Sequence, residues 1–236
     1  MSLHALHDAA VVARLAGADP PLCESLALSV ENPSEVLFAF VGENPLAPDW
    51  LVDLDLPGER IACWSGTLDH EAVAAGDLFA ACPRNWMHPG PEALADLLDS
   101  VIPGLEKNGR RLCLFPHARH VLSDVQGSIN LLRQRRNTPI EVALTPSSML
   151  TPSMLDALED HLERSFGTLA GESPLLFLHD VVVDETGERL LPVPLGSGIL
   201  DRETVLQAVR THWPREKPIV VLGEALAEQT AWLTEA

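Results

Sequence analysis

The stretches Arg110–His120 (RRLCLFPHARH) and Pro139–Met149 (PIEVALTPSSM) decide the fold. In each of them an apolar run ends on polar residues, and a helical pattern follows directly. A third unit, Pro174–Asp201 (PLLFLHDVVVDETGERLLPVPLGSGILD), comes at similar spacing. Buried strands that alternate with amphipathic helices indicate parallel βα units, in which functional sites lie at the carboxyl ends of the strands. Candidate functional residues are therefore sought just after these strands.

The pattern is regular only in the second part of the chain. Strands are predicted to begin near residues 110, 139, 174 and 217, each separated from the next by a helix, which indicates half a βα barrel or one side of an open parallel sheet. The first ninety residues are less regular. There the sequence predicts a helix at His4–Leu15 and strands at Ser25–Val30, Glu35–Val41, Arg60–Trp64 and Asp77–Cys82.

Charge and composition narrow the class of partner. The formal charge of −18, from 34 acidic and 16 basic residues, argues against nucleic acid or an anionic membrane, because both are repelled at long range. No apolar run reaches the length of a membrane span, and the first residues do not resemble a signal peptide, so we expect a cytoplasmic protein. The four cysteines show no metal-binding spacing and are expected to be buried thiols.

Several short motifs fall in a recognisable order. They are His88-Pro89-Gly90, the helix that follows, the strand at Arg110–Pro116, His179-Asp180, Leu195-Gly196-Ser197-Gly198, and the strand ending at Glu224. In this order and spacing, residues 85 to 225 resemble the xylose-isomerase-like TIM-barrel superfamily, which includes sugar-phosphate isomerases, epimerases and endonuclease IV. The resemblance implies one α/β domain over residues 1–236, a TIM-type barrel with an incomplete or irregular N-terminal half.

The departures from the family pattern affect the metal. The resemblance implies a divalent ion held by carboxylates and imidazoles at the strand ends. Carried over by position, a Glu ligand falls on Phe115, an Asp ligand on Thr145 and a His ligand on Phe177. The usual site therefore cannot assemble, and the cofactor is expected to be either a relocated Mn, Mg, Co or Zn ion or none.

A relocated site would use histidines near the strand ends. We predict His88, His117 and His120 as metal ligands; His117 and His120 stand three residues apart just after a strand. The alternative is that His117 and His120 are loop histidines satisfied by backbone groups.

Acid–base chemistry is predicted for His179, Asp180 and Glu224. His179 and Asp180 close an apolar strand, and strand alternation should point one of them into the barrel mouth. For Asp180 the alternative is a structural hydrogen bond to the loop ahead of Gly196.

Thr145 and Ser147, in a hydroxyl cluster with Ser148, are predicted to bind substrate, as are the backbone amides of Gly196 and Gly198. The alternative for the hydroxyls is turn and helix-cap chemistry.

Two functions remain open. In the first, the chain is an isomerase-like or epimerase-like barrel that acts on a small sugar or polyol with a rearranged metal site. In the second, it is a non-catalytic barrel that serves as a binding or partner subunit. A missing N-terminal strand would leave an open sheet edge, so a homodimer or a partner protein is also expected.

Overall fold

The structure is a computed structural model that describes residues 2–16 and 23–234. The strands are β1 (Leu3–Asp8), β2 (Ser25–Ser29), β3 (Val36–Val41), β4 (Arg60–Trp64), β5 (Arg111–Phe115), β6 (Ile140–Val142), β7 (Leu176–Phe177), β8 (Asp180–Val183), β9 (Leu190–Val193) and β10 (Ile219–Leu222). The helices are α1 (Ala9–Ala16), α2 (His70–Ala74), α3 (Pro89–Asn108), α4 (Val125–Gln134), α5 (Leu158–Leu169), α6 (Arg202–His212) and α7 (Leu226–Thr234). Short 3₁₀ helices span Pro83–Trp86, Ser147–Met149 and Pro152–Ala157.

Eight of the strands form one curled sheet in the order β6-β5-β4-β3-β2-β1-β10-β7. The two end strands meet just beyond β6. The N–H of Leu144 donates to the C=O of Leu175 at 3.0 Å, and the N–H of Phe177 donates to the C=O of Leu144 at 2.9 Å. The predicted α/β barrel is thus confirmed. The open edge that motivated the homodimer is closed here, so the dimer stays a prediction without that support.

The N-terminal half is irregular, as predicted. β2 runs antiparallel to both of its neighbours, β1 and β3, whereas the other neighbouring strands of this sheet run parallel. β2 and β3 are joined by a short turn without a helix, and so short a connection forces an antiparallel pair.

Two local predictions in this half are wrong. The predicted helix at His4–Leu15 starts with β1 instead, because Ala5 is fully buried and pairs with Val221 of the last barrel strand. This pairing joins distant parts of the chain and outweighs the local helical pattern. Asp77–Cys82 forms no strand; its first residue is bound through its side chain to Arg189.

The C-terminal half follows the predicted order more closely. Helix α3 buries Leu94, Leu98, Val101 and Leu105 against the barrel and ends on Gly109, whose φ of 63° suits glycine. Asp201 caps α6 through the N–H of Thr204. Thr151 lies at the start of the 3₁₀ helix that precedes α5, and its side chain makes no capping hydrogen bond there.

Aromatic side chains fill the barrel interior. The ring of Phe115 lies 5.6 Å from that of Phe38, 5.3 Å from Phe40 and 5.5 Å from Phe177. All four residues are at most 5% exposed. The interior is therefore a packed apolar core, on which a cavity at the barrel mouth rests.

After β7 the chain leaves the barrel as the hairpin β8–β9 and returns through residues 194–201. The buried carboxylate of Asp180 joins the two ends of this excursion. Its Oδ1 accepts from the N–H groups of Val181 (2.8 Å) and Leu200 (2.9 Å), and its Oδ2 accepts from those of Gly196 (3.2 Å) and Gly198 (3.0 Å). A Cβ on Gly198 would overlap this carboxylate, so glycine is required there. The Asp180 side chain thus binds the returning loop, which is the structural role that the sequence left open as an alternative to acid–base chemistry.

No helix in residues 2–16 or 23–234 has the length and apolar character to cross a bilayer.

Asp180→Asn should lower the free energy of unfolding by about 3 kcal/mol. The new NH₂ group would face backbone donors, and the remaining bonds would lose their charge. The matched control is Asp201→Asn, an exposed helix cap where Asn serves nearly as well as Asp. Urea denaturation measures both, and an equal small effect of the two substitutions would contradict the structural role of Asp180.

Candidate functional site

A cavity of about 300 Å³ opens at the carboxyl ends of the parallel barrel strands. This is the end of the barrel where active sites of this architecture lie. The strands contribute Leu6 of β1, Phe40 of β3, Trp64 of β4, Phe177 of β7 and Leu222 of β10. The cavity is therefore a candidate binding or active site by its position alone.

Most of the cavity wall is apolar. Phe40, Trp64 and Phe79 meet edge to face, with ring centroids 5.5 Å (Phe40–Trp64) and 5.3 Å (Trp64–Phe79) apart. The polar groups His117, Ser148 and His179 follow β5, β6 and β7, which are neighbours in the barrel, so they lie together on one side. The cavity therefore suits a small molecule with an apolar body and one hydrogen-bonding end.

The hairpin covers the cavity with Glu188–Pro192. Arg189 donates to both carboxylate oxygens of Asp77, at 2.9 and 2.7 Å. The hydrogen bonds from Arg189 lower the pKa of Asp77. The Nη2 of Arg119 donates to the C=O of Glu188 at 2.7 Å. The cover is thus bound both to the segment after α2 and to the turn after β5.

His117 presents a fixed tautomer to the cavity. Its Nδ1 accepts from the N–H of Arg119 at 3.1 Å, so in the neutral ring the proton is on Nε2. Burial lowers the pKa of His117 well below its usual value, and the neighbouring His120, His179 and arginines act in the same direction. His117 is therefore a neutral hydrogen-bond donor at the cavity wall.

His120 lies behind this wall. Its Nε2 donates to the C=O of Leu78 at 3.2 Å, and its ring stacks on Phe79 with centroids 5.1 Å apart. Its Nδ1 is buried without a hydrogen-bond partner among the described residues. Burial lowers the pKa of His120 to about 4. This is close to the alternative given for His120, a histidine satisfied by the backbone.

His179 is bonded at both ring nitrogens. Its Nδ1 lies 2.8 Å from the C=O of Asp180, which can only accept, so Nδ1 carries the proton. Its Nε2 lies 2.9 Å from the Oγ of Ser148. Burial lowers the pKa of His179 to about 4. In the neutral ring Nε2 is unprotonated, and the hydroxyl of Ser148 donates to it.

The predicted substrate-binding groups are already engaged. Thr145 Oγ1 donates to the C=O of Pro116 at 2.7 Å, and Ser147 Oγ donates to the C=O of His179 at 2.6 Å. The amides of Gly196 and Gly198 donate to Asp180. Of these four residues Ser147 alone lines the cavity, and its hydroxyl positions the segment between β7 and β8 that carries His179.

His88 and Glu224 lie away from the other candidates. The side chain of His88 is 88% exposed at the start of α3 and pairs with Glu92 at 3.3 Å. Glu224 is exposed beyond β10, and its backbone C=O accepts from Gln229. His88 therefore does not join His117 and His120, because it precedes a helix rather than following a barrel strand.

The remaining donors do not fit a divalent ion. The positions of the implied ligands hold Phe115 and Phe177, which belong to the apolar interior, and Thr145, whose hydroxyl proton is engaged. Within residues 2–16 and 23–234 no group of three or more His, Cys, Asp or Glu side chains is placed to hold a metal. A hard divalent ion needs more oxygen or imidazole ligands than the cavity supplies.

The fold is shared with several solved structures. No protein-family model matches the chain, and no curated protein sequence matches it either. Among solved structures, the probable 3-DHS dehydratase AsbF of Bacillus anthracis is similar at 12% identity, with a TM-score of 0.56 over 86% of this chain and 77% of that protein. A D-psicose 3-epimerase is similar at 14% identity, with a TM-score of 0.51 over 83% of this chain and 68% of that protein.

A xylose isomerase-like TIM barrel protein from Mycobacterium smegmatis, solved in complex with magnesium, matches at 11% identity with a TM-score of 0.49. The match covers 75% of this chain and 61% of that protein. The chain thus spans about three fifths of that protein's length. At these identities the two matches with TM-scores above 0.5, AsbF and the D-psicose 3-epimerase, establish the fold alone.

Much of the cavity wall was not predicted from the sequence. Trp64 closes a predicted strand and Arg119 lies in the quoted segment after β5, so the rule of strand ends would have found both. Phe79 carried no such signal, because its segment was predicted as a strand. The Asp77–Arg189 pair, which places that segment beside the hairpin, joins residues 112 apart in sequence.

The buried histidines should make stability fall with acid. His120 and His179 have a folded pKa of about 4, below the ordinary value of 6.5, so each ring binds a proton more readily after unfolding. The contribution of these two neutral rings to the free energy of unfolding is fully present above about pH 6.5 and is lost as the pH falls through about 4. Near pH 5 each should add about 1.4 kcal/mol per pH unit to the slope of unfolding free energy.

Chemical denaturation across this range measures the slope. His120→Phe keeps the ring stack. It should lower the slope of unfolding free energy against pH by about 1.4 kcal/mol per pH unit, which corresponds to one proton. Leu51→Phe, at an exposed position without an ionisable group, should leave the slope unchanged. The same slope in wild type and His120→Phe would contradict the burial of a neutral His120.

Proposed function

We propose that this chain is a metal-independent barrel that binds a small, uncharged molecule in the cavity at its mouth. The observation that carries the proposal is the cavity itself, which has aromatic walls, one polar side and a bonded cover over an apolar floor. The proposal follows the second of the two functions left open by the sequence, a binding barrel. We do not retain the first function, an isomerase or epimerase with a rearranged metal site, because the histidines predicted as its metal ligands do not all lie together.

The charges around the cavity support an uncharged ligand. Arg119 and Arg189 line it, but so do Glu24 and Glu188. Arg189 is neutralised by Asp77, and the Nη2 of Arg119 is used on a backbone carbonyl. Among the described residues a sugar phosphate would therefore meet no unpaired cluster of cations, and the chain as a whole carries −18.

The aromatic walls limit the class of ligand further. An open-chain polyol would lose water from every hydroxyl while finding few partners on Phe40, Trp64, Phe79 and Phe177. The apolar face of a cyclic sugar derivative or the hydrocarbon part of a small ester or ketone would cover them. His117 Nε2–H and Ser148 are placed to receive the polar end.

Metal independence is tested on protein purified without a His tag or chelator. Mass-spectrometric metal analysis should find near-zero Mn, Mg, Co and Zn. Adding metal at about 100 times a plausible Kd should leave the melting temperature unchanged, whereas a bound ion would stabilise the fold by about 2.7 kcal/mol. Near-stoichiometric metal that disappears in a His117→Gln, His120→Gln variant would contradict the proposal.

Cavity binding is tested with prodan, an uncharged naphthyl ketone whose emission shifts to the blue in apolar surroundings. The wild-type protein should bind prodan, and binding should be seen as energy transfer from protein tryptophan to the probe. Ala118→Trp, which fills the cavity from the β5 side, should weaken binding at least about tenfold, equivalent to about 1.4 kcal/mol.

The control for this experiment is Ala157→Trp, at an exposed position outside the cavity lining. Leu222→Trp, which fills the cavity from β10, provides a second test if Ala118→Trp lowers the melting temperature. Equal binding by wild type and both filled variants would place the probe elsewhere and contradict the proposal.

A further inference from the structure

Ser148 and His179 form a hydroxyl–imidazole pair at the cavity wall. The Oγ of Ser148 lies 2.9 Å from Nε2 of His179, and both residues line the cavity. This is the contact through which a neutral imidazole takes the proton of an attacking serine. The pair comes from two neighbouring strand ends, after β6 and β7, and so sits on the barrel framework.

A third group orients the imidazole. The backbone C=O of Asp180 accepts from Nδ1–H at 2.8 Å, which directs the unprotonated Nε2 toward the serine. The carboxylate of the same residue is bound to four backbone amides, so this carbonyl belongs to a fixed part of the chain. The arrangement has the three roles of a nucleophile, a base and an orienting acceptor.

His117 supplies a donor next to the pair. The N–H of Ala118 donates to the C=O of Ser148 at 2.9 Å, which joins the turn after β5 to the segment that carries the serine. The Nε2–H of His117 is free for the cavity because its Nδ1 is engaged by Arg119. A donor in this place can stabilise negative charge that develops on a carbonyl oxygen.

We propose that Ser148 is an acyl-accepting nucleophile, with His179 as its base, for a small uncharged ester with an apolar acyl group. The inference rests on the proposed function, since the ester must enter the same cavity. It adds a covalent activity to binding.

The reaction proceeds in two halves. Ser148 Oγ forms a bond to the ester carbonyl carbon while its proton passes to His179 Nε2. The bond from that carbon to the alcohol oxygen then breaks, and Nε2 returns the proton to the departing alcohol. Water attacks the acyl-serine by the same route, giving its proton to Nε2. When the acyl bond breaks, Nε2 returns the proton to Ser148, and the carboxylic acid is released.

The test is labelling with an alkyl fluorophosphonate, followed by intact-mass analysis and peptide mapping. Serine attack on phosphorus expels fluoride, so one phosphonyl adduct on Ser148 is expected. Ser148→Ala should show no adduct, and His179→Gln should label at least about 100-fold more slowly because the base is lost. Ser165→Ala, which removes a buried helix serine outside the cavity, should label like wild type.

Prodan binding and the melting temperature are measured on the same samples. Prodan binding without an adduct on Ser148 would overturn this inference and leave the proposed function standing. Neither binding nor labelling would overturn both. An adduct that persists in folded Ser148→Ala would overturn the assignment of the nucleophile.

Discussion

The Asp180 carboxylate accepts hydrogen bonds from four backbone N–H groups, and the arrangement of the cavity depends on that contact. It ties the point where the chain leaves the barrel to the point where it returns, so the hairpin between them is held over the barrel mouth. The backbone carbonyl of the same residue fixes the tautomer of His179. A buried carboxylate is costly unless fully bonded, and here the cost is offset by charge-assisted bonds.

The floor of the cavity explains how the site differs from a metal site on the same fold. Phe115 and Phe177 take two of the positions where the family resemblance implies ligands, and their rings pack together in the barrel interior. Phenylalanines at positions where the resemblance implies a Glu and a His ligand lower the local polarity. In such surroundings the imidazoles of His117, His120 and His179 stay neutral, because burial disfavours the charged form. Neutral imidazoles accept and donate hydrogen bonds, and they can move a proton without a metal.

The sequence predicted the parts of the fold that are locally periodic. The strands near 110, 139 and 217 and the helices between them follow from apolar spacing. β1 was not predictable in this way, because its strand state depends on pairing with β10 across the whole chain. The strand after residue 174 divides into β7 and the hairpin because the Asp180 carboxylate binds distant amides, a contact that apolar spacing does not encode.

The candidate site was predicted in outline. His117, Ser147 and His179 line the cavity, since strand ends meet at one face of a barrel. His88 and Glu224 were chosen by resemblance, and the structure places them on exposed positions elsewhere. The pairing of Ser148 with His179 could not be foreseen, because it depends on which hydroxyls of the cluster after β6 turn toward neighbouring backbone carbonyls.

His179 is a neutral imidazole with its proton on Nδ1 and with Nε2 turned to Ser148. Two-dimensional NMR of protein labelled with ¹⁵N-histidine tests it directly near neutral pH. We predict a protonated Nδ1 and an unprotonated Nε2 for His179, with the Nε2 resonance shifting in Ser148→Ala and unmoved by added Zn²⁺. A proton on Nε2, a charged ring, or a Zn²⁺-dependent shift at this residue would contradict it.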